Sequence, residues 1–300
     1  MNHRHIIFVP GKNPKPPADQ HRALLWRTMV EGVSRAEPNV VDEFSQHADD
    51  FTLIAWNYLY YHTTKDINRD LPWIDALMNQ HGPTEQDVLE SESWHRKVDS
   101  LLFSIVDHLP FLLRFWPEKV RTTAEEIKGY FQNENNVACE IRELLKEQLR
   151  PLLNTTDKVL VISHSLGSVI AYDALWELSH LENFPFKIDL LLTIGSPLGM
   201  NYVQRRLLGN QYSGKKKYPN NIRRWVNISS IGDVTALDRV FSDDFEEMIE
   251  LGIIESIEDH CDGIYNFYRD EKGLNCHRSY GYMVNPAVGK VIADWWQLSG

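Results

Sequence analysis

A run of apolar residues passes directly into a helical pattern at residues 158–175, and this junction restricts the fold more than any other stretch. Residues 158–162, K-V-L-V-I, are rich in β-branched side chains, which is typical of a buried strand in a parallel sheet. From Leu166 onward the apolar residues have helical spacing, and no turn residues separate the two patterns. The chain therefore has to turn sharply at Ser165, which we expect to be exposed above the sheet, facing the N–H groups of the first helical turn.

The sequence S-H-S-L-G at residues 163–167 matches the G-x-S-x-G pattern of a strained strand-to-helix turn, with one change. Such a turn crowds the residues two before and two after its centre. Here Ser163 replaces the first glycine, and Gly167 is the second. The strand, this turn and the helical sequence V-I-A-Y-D-A-L resemble the nucleophile elbow of α/β-hydrolase serine esterases and lipases, particularly their intracellular lipase-like branch. Without that resemblance, the same residues are an ordinary strand–helix junction with a serine-rich turn.

The order of apolar runs along the chain predicts a parallel sheet. Residues 5–9 and 51–58 have strand-like patterns, and residues 19–33 between them have helical spacing, so the chain begins with a βαβ unit. Further buried strands are predicted at 187–194 and 224–231. We predict an α/β protein, and the resemblance implies the α/β-hydrolase fold, with a mostly parallel central sheet and helices on both faces.

We expect residues 1–300 to form a single domain, and the resemblance covers residues 1–60 and 155–300. Residues 64–154 show helical patterns and no convincing strand, which predicts a largely helical insert, or cap, before the nucleophile strand. The clearest amphipathic pattern runs over 98–116. Such a helix either forms a lid over an acyl pocket or packs between its neighbours, and packing is the commoner fate of an apolar stripe.

The resemblance also implies a catalytic triad in the chain order Ser165, Asp233, His277, which is the order of α/β hydrolases. Asp233 follows a predicted strand in the sequence W-V-N-I-x-x-x-G-D-V, where lipase-like hydrolases carry their acid. His277 lies in a loop before the last predicted helix, where this fold has its base. Asp238 is the alternative acid and His260 the alternative base.

Backbone N–H groups of Lys12 and Leu166 are the oxyanion donors that the resemblance implies. Lys12 follows a predicted strand in the sequence P-G-K, where related loops commonly contain H-G-x; a plain structural turn is the alternative. Ser196 is a rival nucleophile, but Pro197 after it has no N–H group for an elbow. The predicted substrate-binding residues are Gly11, His164, Ser196 and Pro197.

Composition excludes several classes of function. The 300-residue chain has a formal net charge of −11 and a sequence pI near 5.5, which disfavours nucleic-acid binding. It contains no run of about 18 apolar residues, the length that indicates a membrane span. The first residues lack the features of a signal peptide, so we expect a cytoplasmic protein. The three cysteines are too sparse for a disulfide framework and suit reduced thiols.

The predicted mechanism requires neither an organic cofactor nor a metal. One alternative is a zinc site formed by His260, Cys261, Cys276 and His277, since two thiols and two imidazoles are a common zinc ligand set. Their adjacent H-C and C-H spacing differs from the C-x₂₋₄-C and H-x₃₋₅-H pairs of ordinary zinc sites. We therefore predict no metal site.

We predict a serine hydrolase that cleaves carboxylic esters through an acyl-enzyme, with a small-molecule ester carrying an apolar acyl group as substrate. A phospholipase, with peripheral lipid contact through a basic region, and a thioesterase are alternatives within the enzyme class. From a different class, a non-catalytic hydrolase scaffold would bind an acyl ligand or a protein partner. The basic residues are Arg205, Arg206, Lys215, Lys216, Lys217, Arg223 and Arg224, for which a solvated loop is the commoner explanation.

Overall fold

Six strands form one sheet in which every neighbouring pair is parallel, in the order β2-β1-β3-β4-β5-β6. The computed structural model describes residues 3–93, 128–152, 157–185, 187–236 and 239–298. The strands are β1 (Arg4–Val9), β2 (Phe51–Leu53), β3 (Lys158–His164), β4 (Ile188–Ile194), β5 (Ile222–Ile228) and β6 (Ser256–His260), and a separate antiparallel pair comprises β7 (Arg269–Asp270) and β8 (Gly273–Leu274).

Helices connect the strands, as parallel pairing requires. The longer α-helices are Ala18–Ala36, Leu71–Asn79, Val137–Leu152, Leu166–His180 and Pro286–Gln297. Shorter α-helices are Val41–Phe44, Trp56–Tyr61, Glu85–Ser91, Asn201–Gln204, Phe241–Asp244, Glu246–Glu250 and Ser279–Met283, and 3₁₀ turns are Ala48–Asp50, Ile67–Arg69, Glu134–Asn136, Leu208–Gln211 and Gly214–Lys216. Across the described residues, no helix is long and apolar enough to cross a bilayer.

Apolar side chains cover both faces of the sheet, because alternate residues of a strand point in opposite directions. In β3, Val159 and Val161 belong to one buried cluster, together with residues of the helices Val137–Leu152 and Leu166–His180. Leu160 and Ile162 belong to the buried cluster on the other face, together with residues of the helices Ala18–Ala36 and Pro286–Gln297. The predicted α/β fold, with a parallel sheet and helices on both faces, is confirmed.

The strand order reverses between β1 and β3. From β1 the chain moves outward to β2, and it then returns to form β3 on the other side of β1. In open parallel sheets, a crevice at such a reversal lies beyond the carboxyl ends of the strands and is the usual place for ligands. The loops after β1 and β3 carry Gly11 and Ser165, so both residues lie at this edge of the sheet.

Three sequence predictions differ from the structure or lie outside it. The strand predicted at residues 51–58 is only three residues long, because Trp56 begins a helix whose side chains bind the loop after β1. Strand β6 was not predicted, since its sequence S-I-E-D-H lacks an apolar run. The predicted helix at 98–116 lies outside the described residues. The described part of 64–154 contains helices and 3₁₀ turns, and no strand.

Gly167, the second small residue of the elbow, lets the helix Leu166–His180 approach β1. A Cβ atom at this position would lie 2.3 Å from the carbonyl oxygen of Val9 and 2.6 Å from that of Pro10. Both atoms belong to backbone, which cannot rotate away as a side chain can. The close contact between the elbow and the loop after β1 therefore depends on glycine.

We expect Gly167→Ala to lower the free energy of unfolding by about 1–3 kcal/mol, the usual cost of forcing an extra carbon into a packed site. Urea unfolding followed by circular dichroism measures it. Gly82→Ala is the matched control, since a Cβ there meets no atom within 4 Å. The control should stay within about 0.5–1 kcal/mol of wild type. Equal stability of the two variants would contradict this account of the elbow.

Candidate active site

Ser165 adopts a backbone conformation that an ordinary residue avoids, with φ of 54° and ψ of −129°. Backbone strain of this kind costs about 1–3 kcal/mol and persists only where surrounding contacts enforce it. Here the amide of Ser165 donates to the carbonyl of Ile194 at 3.2 Å, and the Ser168 hydroxyl donates to the carbonyl of Ser165. The residue is 2% exposed, so the expected open position above the sheet is wrong: neighbouring loops cover it.

Ser165, His277 and Asp233 form a continuous line of hydrogen bonds. His277 Nε2 lies 2.8 Å from Ser165 Oγ, and His277 Nδ1 lies 2.8 Å from Asp233 Oδ2. A carboxylate only accepts, so Nδ1 carries the proton and Nε2 accepts from the serine hydroxyl. The three residues come from the turn after β3, the loop after β5 and the loop before the helix Ser279–Met283. The structure thus brings together the three residues predicted for the triad.

Asp233 is a buried carboxylate whose oxygens are well supplied with donors. The Thr235 amide donates to Oδ1 at 2.9 Å, while His277 and the Tyr282 hydroxyl, at 2.7 Å, donate to Oδ2. Burial by itself would raise the pKa of Asp233. The positive charge that His277 has when protonated, together with these hydrogen bonds, outweighs burial and lowers the pKa of Asp233 below its ordinary value. Asp233 therefore remains ionised beside the imidazole.

Tyr282 is a site residue that sequence reasoning missed. Its hydroxyl donates to Asp233 and accepts from the Ser230 amide at 2.9 Å. Burial and the neighbouring Asp233 charge raise its pKa well above the ordinary value, so the hydroxyl keeps its proton. Nothing in the sequence near Tyr282 marks it, because the contact with Asp233 joins residues 49 positions apart.

Side chains hold the backbone carbonyls of His277 and of the residue before it. Ser230 Oγ donates to the carbonyl of Cys276 at 2.8 Å, and His164 Nε2 lies 2.8 Å from the carbonyl of His277. A carbonyl only accepts, so His164 has its proton on Nε2. Burial, followed by the charge of His277, lowers the pKa of His164 well below its ordinary value. This neighbouring imidazole therefore stays neutral and does not compete for a proton carried by His277.

The loop after β1 lies against the elbow. A Cβ atom at Gly11 would lie 2.8 Å from Cβ of Ser165, and Lys12 follows directly. Trp56 Nε1 donates to the carbonyl of Pro10, and Asn57 Nδ2 donates to the carbonyl of Gly11, both at 2.8 Å. These two residues, which the sequence had placed in a strand, instead fix this loop beside the serine.

Leu166 is the first residue of the elbow helix, and the N–H groups of a first helical turn have no partner within the helix. Leu166 directly follows Ser165, and Lys12 directly follows Gly11, which lies against the serine. The oxyanion role of their N–H groups stays a prediction. Ser196 is completely buried, and its hydroxyl lies 2.6 Å from that of Ser168, which places it behind the elbow. Ser163 is also completely buried, and its hydroxyl has no hydrogen-bond partner among the described residues.

The alternatives considered from sequence lie elsewhere. His260 ends β6 with an exposed side chain, and Asp238 is outside the described residues. Both ring nitrogens of His277 are engaged by Ser165 and Asp233, so His277 is not arranged as a zinc ligand. The described part of the chain contains no group of three His, Cys, Asp or Glu residues suited to a metal ion.

Comparison with known proteins gives a distant, partial match. The chain is 35% identical over 72 residues to a Saccharomyces cerevisiae protein named "Probable phospholipase YOR022C, mitochondrial". The matched stretch is 24% of this chain and 9% of the yeast protein, so the chain spans only a small part of that relative. No protein-family model matches, and no solved structure matches.

Removing the Tyr282 hydroxyl tests how the buried carboxylate is stabilised. We expect Tyr282→Phe to lower the free energy of unfolding at pH 7 by about 1–3 kcal/mol, since Asp233 loses a donor. A depressed pKa contributes stability above the unfolded value, near 3.8, and that stability is lost as the pH falls through the folded pKa. The deficit of the variant should therefore be full at neutral pH and shrink below about pH 4.

Tyr280→Phe is the matched control for urea unfolding at a series of pH values. Its hydroxyl is also buried, but it has no hydrogen-bond partner among the described residues. This control should match wild type or exceed it slightly, without the pH-dependent difference. A Tyr282→Phe deficit that stayed constant from pH 7 to pH 3 would show that the hydroxyl does not act through the Asp233 charge.

Proposed function

We propose that this chain is a serine hydrolase that cleaves carboxylic esters of a lipid type through an acyl-enzyme. The observation that carries the proposal is the hydrogen-bonded line from Asp233 through His277 to Ser165, with the serine at a strained strand-to-helix turn. A serine hydroxyl is a weak nucleophile near neutral pH and needs an adjacent base that is itself oriented by a third group. This arrangement supports that chemistry.

In the proposed reaction, Ser165 Oγ attacks the ester carbonyl while its proton passes to His277 Nε2. The negative charge of Asp233 stabilises the resulting imidazolium and holds its orientation. The imidazolium then returns the proton to the departing alcohol. Water attacks the acyl-enzyme by the same route and releases the acid and the free serine. His164 does not take up the proton that His277 accepts and returns, because the pKa of His164 lies well below its ordinary value.

Backbone N–H groups of Lys12 and Leu166 are the proposed donors to the oxyanion that forms during each attack. A donor of this kind contributes about 3–4 kcal/mol in enzymes where it has been removed. Such donors act only if their positions are fixed before the reaction. The bonds from Trp56 and Asn57 to the loop after β1 supply that rigidity on the Lys12 side.

A lipid-type ester is the proposed substrate class. The support is the partial match to a protein named a probable phospholipase and the lipase-like elbow sequence. Water-soluble p-nitrophenyl esters of increasing acyl length are suitable first substrates. A non-catalytic scaffold remains the competing function, and the serine at position 163 in place of glycine is the feature that favours it.

Labelling with a fluorophosphonate probe, detected by intact mass, tests the nucleophile. We expect stoichiometric labelling of wild type, no labelling of Ser165→Ala, and loss of ester hydrolysis by about 10³-fold or more in both Ser165→Ala and His277→Ala. Labelling should also be lost in His277→Ala, because the serine reacts with the probe only when the imidazole accepts its proton. Unchanged labelling of His277→Ala would show that the imidazole only fills space.

Ser179→Ala and Ser229→Ala are the matched controls, since both remove a buried serine hydroxyl that makes no hydrogen bond to the turn at Ser165. Both variants should still incorporate the probe at Ser165. Each variant must retain the wild-type far-ultraviolet circular dichroism spectrum. Folded wild-type protein that fails to react with the probe would shift the interpretation to the non-catalytic scaffold.

A further inference from the structure

A cavity of about 270 Å³ lies beside the loop that carries Gly11, at the carboxyl end of β2. Its polar lining includes Lys15, His21, Asn57, Thr63 and Thr64, and none of the described residues that line it is an aspartate or glutamate. Pockets for whole drug-sized ligands begin at about 300 Å³, so this volume suits a head group rather than an entire lipid. We call it the Lys15 cavity.

Lys15 is a half-buried cation whose ammonium group has no ion-pair or hydrogen-bond partner among the described residues. Asp70, the carboxylate whose charge acts on Lys15, is already bound by Lys65 at 2.6 Å and by Arg278 at 2.5 Å. One carboxylate therefore serves two other cations, and the surroundings of Lys15 carry a surplus of positive charge. A buried charge without a partner is costly, which is why such groups are normally paired.

His21 is 2% exposed and faces the same cavity, and its ring has no hydrogen-bond partner among the described residues. Burial first, then the positive charges of Lys15 and Arg278, lower its pKa well below the ordinary value. A neutral imidazole offers one N–H donor. The ring is held edge-on to Tyr280, with centroids 6.0 Å apart, so its direction is fixed by packing.

The Lys15 cavity adjoins the candidate active site. Asn57 lines the cavity, and its amide nitrogen donates to the carbonyls of Gly11 and Asn13. The same loop lies against Ser165 at Gly11, and the charge of Lys15 is close enough to lower the pKa of His164, the residue before the serine. One substrate molecule could therefore have its phosphate group at Lys15 and its ester group at Ser165.

We propose that the Lys15 cavity binds a phosphate group, either the phosphoryl head group of the ester substrate or free inorganic phosphate. The ammonium of Lys15, the N–H of His21 and the hydroxyls of Thr63 and Thr64 are donors, and a phosphate supplies several acceptor oxygens to them. The head-group form rests on the proposed function; the phosphate site itself does not. Binding of a phosphate favours the protonated form of Lys15, because the anion is the charge partner that the ammonium group lacks.

Protonation explains the expected pH dependence. Burial, then the charge of Arg278, lowers the pKa of Lys15 to about 7; Asp70 opposes the shift, while Lys65 and Lys12 add to it. For dimethyl phosphate, a diester whose charge is constant in this range, affinity should therefore fall as the pH rises from 6 to 8, with proton uptake on binding. Inorganic phosphate loses its own second proton near this range, so the diester is the probe for the pH series. Neutral His21 does not titrate in that range.

The first experiment measures binding of inorganic phosphate by calorimetry and by the thermal unfolding midpoint, at pH 6.5 and at constant ionic strength with sodium chloride. Phosphate should raise the midpoint of wild type and of Lys272→Met, an exposed lysine with the same charge change. In Lys15→Met the affinity should be at least about tenfold weaker, and the midpoint shift should vanish. Binding that is unchanged in Lys15→Met, or absent from wild type, overturns the proposal.

Lys15→Met should fold at least as well as wild type at pH 7 without phosphate. A lysine whose folded pKa lies below its unfolded value makes stability rise with pH between about 7 and 10.5, so at neutral pH the charged form is a cost. The variant removes that cost. A large loss of stability would show instead that Lys15 is structural, which overturns the proposal.

Kinetics distinguish the two sources of phosphate. With dihexanoyl phosphatidylglycerol, Lys15→Met should raise KM at least about tenfold, while kcat/KM for dihexanoylglycerol stays within about twofold of wild type. Unchanged kinetics with both esters, with phosphate binding still lost, assign the cavity to free phosphate, whereas an equal loss with both esters contradicts the head-group form. If Ser165 proves unreactive, the calorimetric result alone still decides whether the cavity binds phosphate, so the two proposals fail separately.

Discussion

Parallel pairing of β3 with both β1 and β4 is the constraint on which the candidate site depends. It brings the ends of three strands to one edge of the sheet, in a register that pairs Val9 with Ser163 and His164 with Ile194. The turn at Ser165 then lies between the loop after β1 and the turn after β4. The strain at Ser165 is offset by bonds from these fixed neighbours, so the sheet determines the direction of the serine side chain.

The second requirement is a buried negative charge that does not neutralise itself. An isolated buried carboxylate would take up a proton and could not orient an imidazole. Asp233 avoids this because its oxygens accept from an amide, a tyrosine and His277. Gly195 makes the arrangement fit: its φ is +54°, and a Cβ there would lie 2.8 Å from Asp233 Oδ2. The turn after β4 therefore leaves room for the Asp233 carboxylate only because residue 195 is a glycine.

Sequence predicted β3 and β4 because they are buried on both faces and are nearly continuous apolar runs. It predicted β5 from the shorter segment W-V-N-I, which is buried at the carboxyl end of that strand. It did not predict β6 or the true end of β2, because these edge strands pack on fewer neighbours and need less apolar sequence. The three residues of the proposed triad came from the family resemblance. Their contacts could not come from local pattern, since 112 residues separate Ser165 from His277.

Asp233, which is buried, and Lys15, which is half-buried, differ in whether the fold supplies a partner for the charge. Asp233 has its partners within the fold, so its charge is compatible with stability and specifies one arrangement of the surrounding loops. Lys15 has none among the described residues, and two neighbouring cations already share Asp70. A methionine of similar length would fill the same space without the electrostatic cost. Part of this cost is avoided because burial lowers the pKa of Lys15 to about 7. The phosphate proposed for the cavity would offset the rest by supplying the charge that the fold does not.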